Sequence, residues 1–269
     1  MSEFRPPISP LFVPADRPDR FAKAAASGAD AIFVDLEDAV APADKERARA
    51  NLEVVRSFAA PVFIRINPEG TEWHGGDVEA LRAFGLRNVL LPKVEDAGAI
   101  DAVITEVGGQ ATVIATVETA RGVANAREIA RHGNVRQLAF GTADYALDLG
   151  IVPSEEALSF ALSLLVIASR AEGLPGPLDG PTFDLADGGL LAADVERARR
   201  LGASGKLCIH PKQVETVRRG LAPSRAEIDW ALKVMEAEGI AGAVRAGNEL
   251  VDRPIVERAR LILQRAGRG

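Results

Sequence analysis

The chain has 269 residues, 47% of them apolar, and a formal charge of −6, enough apolar material for one large core and within the size range of single-domain parallel barrels. Acidic and basic residues are interspersed, which argues against the concentrated basic face that a nucleic-acid partner requires. Cys208 is the sole cysteine, so an intramolecular disulfide and a multi-cysteine metal site are both excluded, and a cytoplasmic location is expected.

The opening MSEFRPPISPLFVP has no long apolar stretch after a basic start, and no run approaches the roughly 20 apolar residues of a membrane span. Neither a secretion signal nor a membrane anchor is expected. Short β-branched or apolar runs then alternate with helix-period segments, the pattern of parallel βα units. The predicted strands are Ser9–Pro14, Ala31–Asp38, Pro61–Asn67, Asn88–Val94, Ala111–Thr119, Val135–Asp144, Pro177–Phe183 and Gly205–Pro211. Between them lie amphipathic segments such as DKERARANLEVVRSF, DAGAIDAVITEV and LLAADVERARRLG. Eight such units predict a (β/α)8 TIM barrel over residues 1–220. Residues 221–269 are expected to form a C-terminal helical extension or lid within the same single domain. An open doubly wound sheet usually carries a glycine-rich turn after its first strand, whereas that position here reads PADRPDRF. No P-loop or dinucleotide fingerprint is present, which argues against ATP or NAD as cofactor.

Barrel strands are expected to be apolar, yet these gather polar groups at their C-terminal ends, where barrel enzymes place their active sites. Strand two ends in Asp35, Glu37 and Asp38, strand three carries Arg65 and Asn67, and strand four has Lys93. Glu118, Asp144, Asp184 and His210 follow on strands five to eight. Side chains two apart share a face, so Ile114, Thr116 and Glu118 form one row, as do Phe33, Asp35 and Glu37, and Phe63, Arg65 and Asn67. Carboxylates at such depth must be paired, protonated or bound to a cation. Mg²⁺, usually held by one or two carboxylates with water and substrate completing the octahedron, suits Glu118 and Asp144. A rim ion-pair network of the same two carboxylates with Arg65 and Lys93 suits them equally.

The stretches LFVPADRPDRF, GADAIFVDLEDAVAPADKERAR, VFIRINP, VLLPKVE, VETARG, FGTADYALDLG, GKLCIHPKQV and ELVDRP, in this order and spacing, resemble the β subunit of citrate lyase and its free-standing relatives, the malyl-CoA and citramalyl-CoA lyases. The resemblance spans essentially the whole chain. It implies a Mg²⁺-dependent barrel, trimeric or hexameric, that cleaves a 3-hydroxyacyl thioester of coenzyme A into an acyl thioester and a small oxo acid. It further implies that Glu118 and Asp144 ligate Mg²⁺, with Glu118 also facing the substrate, and that Arg65 grips the substrate carboxylate. Glu37 and Asp38 resemble the carboxylates that hold metal-bound waters. Asp252 matches the acid that acyl-CoA lyases bring from a neighbouring subunit, and is expected to transfer a proton at the nascent enolate carbon. The sequence departs from the family pattern in AVRAGNELVD before Asp252 and in Tyr145 after the metal aspartate.

Other residues have plainer expected roles. His210 is read as a hydrogen-bonded structural residue, Cys208 as a small core residue, and His74 and His132 as solvated. Lys93 is read as an ion-pair partner rather than a Schiff-base nucleophile. Arg17, Arg20 and Lys23 follow the first strand and suit the phosphates of coenzyme A, although cations are common at exposed helix starts. The rival readings are an aldolase acting on free pyruvate or oxaloacetate, a thioester hydrolase, and a lyase subunit served by an acyl-carrier protein.

Overall fold

In the computed structural model, which describes residues 4–55, 58, 60–238, 245–246, 249–250 and 252–267, the short apolar runs pair edge to edge as parallel strands. They are β1 (Leu11–Pro14), β2 (Ile32–Asp35), β3 (Val62–Arg65), β4 (Asn88–Leu91), β5 (Thr112–Val117), β6 (Val135–Phe140), β7 (Leu178–Asp179) and β8 (Gly205–Lys206). Their order in the sheet is their order in the chain. The last strand returns to the first through Lys206 N–H to Ile8 O at 2.9 Å, Cys208 N–H to Pro10 O at 2.9 Å and Phe12 N–H to Cys208 O at 2.8 Å. That ring of bonds makes the predicted (β/α)8 barrel and removes both sheet edges.

Strand alternation sends one row of side chains inward. Ala31, Phe33, Phe63, Leu90, Ile114, Ala139, Leu178 and Leu207 form that inner layer, and Phe12 and Phe63 meet Phe33 edge-on at centroid distances of 5.4 and 5.6 Å. The barrel is therefore packed in its middle, and any ligand must sit above this layer. The intervening segments form helices with the expected caps. Asp96 accepts the Ala99 N–H at 3.1 Å ahead of the helix Ala97–Glu106. Gly202, at φ 99°, ends the helix Gly188–Leu201 in the left-handed conformation that glycine adopts at least cost.

The strands stop earlier than the apolar runs suggest, because side chains capture the backbone beyond them. After β2 the Asp35 carboxylate accepts the N–H groups of Glu37 at 2.8 Å and Ala39 at 3.2 Å, turning the chain out of the sheet. After β6 a helix begins at Thr142. Asp144 thus stands in the first turn of the helix Thr142–Leu149 rather than at the end of strand six.

Two compact units divide the chain, Met1–Arg218 and Arg219–Gly269. In the second, the helices Arg225–Glu238 and Arg253–Arg265 pack through Ala231, Val234, Val256, Ala259 and Leu263. Most of the AGAVRAGNELVD segment lies outside the described residues. Asp252, at its end, caps the last helix by accepting the Ile255 N–H at 3.1 Å. No described helix is long and apolar enough to cross a membrane.

Candidate active site

Asp35 and Arg65 are register partners on β2 and β3, so their side chains rise from the inner face side by side. Asp35, only 1% exposed, takes the guanidinium in a fork, with Nε to Oδ1 at 2.8 Å and Nη2 to Oδ2 at 2.6 Å. Such bidentate charge-assisted pairs fix orientation as well as adding strength. The Phe12 ring lies 5.0 Å from the guanidinium carbon. Nη1 lies 2.9 Å from Glu37 Oε2 and 3.3 Å from Asp38 Oδ2. Burial opposes the charge on Arg65, but the pairing with Asp35, Glu37 and Asp38 outweighs it and holds the guanidinium pKa above its ordinary value. Arg65 is thus a permanent cation at the barrel mouth.

Below this turn, buried polar struts hold the loops still. Lys45 Nζ donates to Leu36 O, Glu37 O and Asn67 Oδ1 at 2.5, 2.8 and 2.8 Å. Asn67 in turn bonds Asp77 Oδ2 through both its backbone N–H and its amide, at 2.8 and 2.6 Å.

Glu118 follows β5 on the inward row with Ile114 and Thr116. It is 3% exposed, and its Oε1 accepts the Lys93 N–H at 2.7 Å. Gly141 makes room for it, because a Cβ there would collide with the Glu118 carboxylate and Cβ. Across from Glu118, Lys93 Nζ stands 3.2 Å from Asp144 Oδ1 and 3.4 Å from Glu37 Oε1. Burial pushes the Glu118 carboxyl up to about 8, and the neighbouring Glu37 and Asp144 charges push in the same direction. Burial likewise raises Glu37 to about 7, against the pull of Arg65. For Lys93, burial works against the charge, but Glu37, Glu118 and Asp144 overcome it and raise the ammonium pKa. These contacts favour the charged ammonium and make Lys93 an ion-pair partner of Glu37 and Asp144.

Glu118 and Asp144 border a cavity of about 750 Å³ whose walls also include Phe12, Arg20, Lys23, Asp35, Asp38, Arg65, Thr116, Phe183 and His210. Asp35, Glu37, Asp38, Glu118 and Asp144 confront only Arg65 and Lys93 within this ion-pair cluster. A surplus of carboxylates, two of them raised in pKa, is the electrostatic setting that a divalent cation relieves. Among the described residues no group of three or more His, Cys, Asp or Glu side chains is arranged around one metal position. Mg²⁺ is usually held by one or two carboxylates, with water and substrate in its other positions.

Residues 9–211 match the HpcH/HpaI aldolase/citrate lyase family. The chain belongs to that family. It is 37% identical over 265 residues to a citrate lyase subunit beta-like protein of Mycobacterium tuberculosis, covering 96% of this chain and 94% of the relative. It is 36% identical over 263 residues to a (3S)-malyl-CoA thioesterase of Cereibacter sphaeroides, covering 96% and 92%. Among solved structures, the crystal structure of protein CitE from Mycobacterium tuberculosis in complex with magnesium, acetoacetate and coenzyme A superposes with a TM-score of 0.86. Identity there is 35%, and coverage is 97% of this chain and 98% of that one. Membership makes this chain an enzyme of a family of oxo-acid lyases, on the fold that its sequence predicts.

Within that family frame, Arg65, Asp35, Glu37, Asp38, Lys93, Glu118 and Asp144 form one connected cluster. Other sequence-predicted residues stand outside this ion-pair cluster. Asn67 is a strut below the rim, as described above. Asp184 folds its own loop by accepting the Ala186 and Asp187 N–H groups at 2.8 and 3.1 Å. Arg17 turns its guanidinium onto Asp19 at 2.9 and 2.8 Å, while Arg20 and Lys23 reach the cavity wall. His74 is not solvated but buried, with Nδ1 2.8 Å from Asn67 O and Nε2 2.9 Å from Glu106 Oε2. His132 likewise has both nitrogens engaged, by Asp101 at 3.0 Å and the Asn134 N–H at 3.2 Å. His210 accepts the Lys212 N–H at 3.1 Å, and Cys208 is fully buried, its thiol pushed up to about 12 by burial. Sequence reasoning missed Lys45 and Gly141. The glycine between strand and helix in FGTAD was the available signal, since glycine there marks a close approach.

Because Glu118 is raised to about 8 and a carboxylate must lose its proton to ligate, a divalent cation held here binds with proton release. Mg²⁺ affinity is expected to rise with pH below about 8 and to level off above it. Calorimetry in two buffers of different ionisation enthalpy measures both quantities. A pH-independent affinity without proton release contradicts the shift.

Proposed function

We propose that this enzyme cleaves the carbon–carbon bond of a 3-hydroxyacyl thioester of coenzyme A, using Mg²⁺ held by Glu118 and Asp144. The observation that carries this reading is the placement of Glu118, Asp144 and Arg65 on one cavity, with more carboxylates than cations around them. The reported magnesium and coenzyme A complex of the similar CitE structure supports it.

Cleavage of such a thioester passes the hydroxyl proton to a carboxylate of this cluster, breaks the adjacent carbon–carbon bond and leaves its electron pair on the thioester's α carbon as an enolate. Protonation of that carbon then gives the acyl thioester, and the former hydroxyl carbon becomes the carbonyl of an oxo acid. Bound Mg²⁺ would acidify and orient the hydroxyl. Arg65, fixed by Asp35 through Nε and Nη2 and held in the mouth by Glu37 and Asp38 through Nη1, keeps its second Nη2 N–H for the substrate carboxylate. Arg20 and Lys23 supply positive charge on the cavity wall for the phosphates of coenzyme A, and Arg17, paired with Asp19, adds to it. Asp252 delivers the proton to the enolate carbon.

Thioester hydrolysis is a second reading, favoured by the 36% identity to the (3S)-malyl-CoA thioesterase. One panel separates the readings: malyl-, citramalyl- and citryl-CoA beside the free hydroxy acids, with and without Mg²⁺. Lyase action yields an acyl-CoA and an oxo acid, whereas hydrolysis yields free thiol and the intact hydroxy acid. Activity on free acids alone would identify an aldolase instead. Turnover only after transfer to an acyl-carrier protein would make the chain a lyase subunit.

The chain is further proposed to act as a homotrimer or hexamer in which Asp252 completes a neighbouring subunit's site. Mixing inactive Asp252→Asn with inactive Glu118→Ala subunits is expected to restore part of the activity, since some sites then pair an intact metal pair with an intact acid. Mixed oligomers that form and stay inactive would show that Asp252 does not act across subunits.

A further inference from the structure

Lys93 is the only non-glycine residue with positive φ among the described residues, at 50°. A side chain in the left-handed region is disfavoured by contact of its Cβ with the backbone, so surrounding structure must hold it there. In this conformation both ends of the residue address the same carboxylates. The backbone N–H donates to Glu118 Oε1 at 2.7 Å, and the ammonium stands 3.2 Å from Asp144 Oδ1 and 3.4 Å from Glu37 Oε1.

We propose that Lys93 is a built-in counter-cation: its backbone sets the position of Glu118, and its ammonium shares Asp144 with a divalent cation and competes with it. The inference rests on the reading of Glu118 and Asp144 as the metal pair. A cation ligated by Asp144 at about 2.1 Å lies within a few ångströms of an ammonium on the same carboxylate. Two like charges at that separation repel strongly in a partly buried site. The ammonium must then withdraw, and the Lys93 side chain, 38% exposed on a flexible four-carbon stem, has a path to solvent. When the divalent cation leaves, the ammonium returns and limits repulsion among Glu37, Glu118 and Asp144. The arrangement keeps the carboxylates together through cation exchange at the cost of weaker metal binding. Lys93 is on this account a positioning residue.

Two variants remove the ammonium while leaving the backbone N–H to Glu118 in place. Lys93→Met keeps the stem length and removes the charge. Lys93→Gly also removes the charge but suits the positive φ and retains the N–H to Glu118. Calorimetry with Mg²⁺ alone is expected to show at least tenfold tighter binding in both variants than in the unaltered enzyme. Without metal, Lys93→Met is expected to melt at a lower temperature, and saturating Mg²⁺ to raise its Tm by more than it raises that of the unaltered enzyme. Mg²⁺ affinity that is unchanged or weaker in both variants overturns the competition. An unaltered enzyme that binds no Mg²⁺, or binds it equally well after Glu118→Ala, overturns the metal pair and this proposal with it.

Discussion

The crowding of negative charge at one end of a barrel governs the rest of this structure. Glu118 is almost wholly withdrawn from water, with Glu37 and Asp144 among its neighbours, and a buried carboxylate is unfavourable unless it is protonated, hydrogen-bonded or matched by a cation. The protein supplies a partial answer to each demand. Arg65 serves Asp35, Glu37 and Asp38, and Lys93 serves Glu37, Asp144 and, through its backbone, Glu118. What remains is a carboxyl whose pKa stands near 8, a group that gains from a divalent cation more than an exposed carboxylate does.

The scaffold serves that tension at several removes. Asp35 turns the chain out of β2 with the same carboxylate that grips Arg65. Lys45, buried beneath, ties the carbonyls of Leu36 and Glu37 to Asn67, so the loop bearing Glu37 has little freedom to retreat from its neighbours. Gly141 leaves the space that Glu118 occupies. The closed inner layer of Phe33, Phe63, Leu90 and Ile114 forms a floor that keeps the polar groups at the mouth. Preorganisation of this kind is what an enzyme needs to meet charge that develops on a substrate.

Much of this was legible in the sequence because strand periodicity is a strict constraint. The alternation Ile114, Thr116, Glu118 fixed which face the glutamate takes, and the same count aimed Asp35 and Arg65 inward. Their mutual pairing was not legible, since it depends on β2 and β3 lying in register across 30 residues of chain. Asp144 was misplaced onto a strand end because GTAD is as polar as a strand terminus, while the helix start depends on Gly141 leaving the sheet. His74 reads as a solvated residue near a helix start. It is buried because a carbonyl and a carboxylate from distant segments satisfy both of its nitrogens. The positive φ of Lys93 has no signature in PKVE, since the conformation is imposed by the contacts around it.

Family membership makes this chain an enzyme of a family of oxo-acid lyases, and the central proposal is that one cation sits between β5 and the helix after β6. Diffraction from crystals soaked in Mn²⁺, whose anomalous signal marks the ion directly, tests that claim most closely. The expected result is one strong peak at the barrel mouth, about 2.0–2.2 Å from carboxylate oxygens of Glu118 and Asp144, with the Lys93 ammonium moved away from Asp144. A peak held by other residues, or none at saturating Mn²⁺, would contradict it.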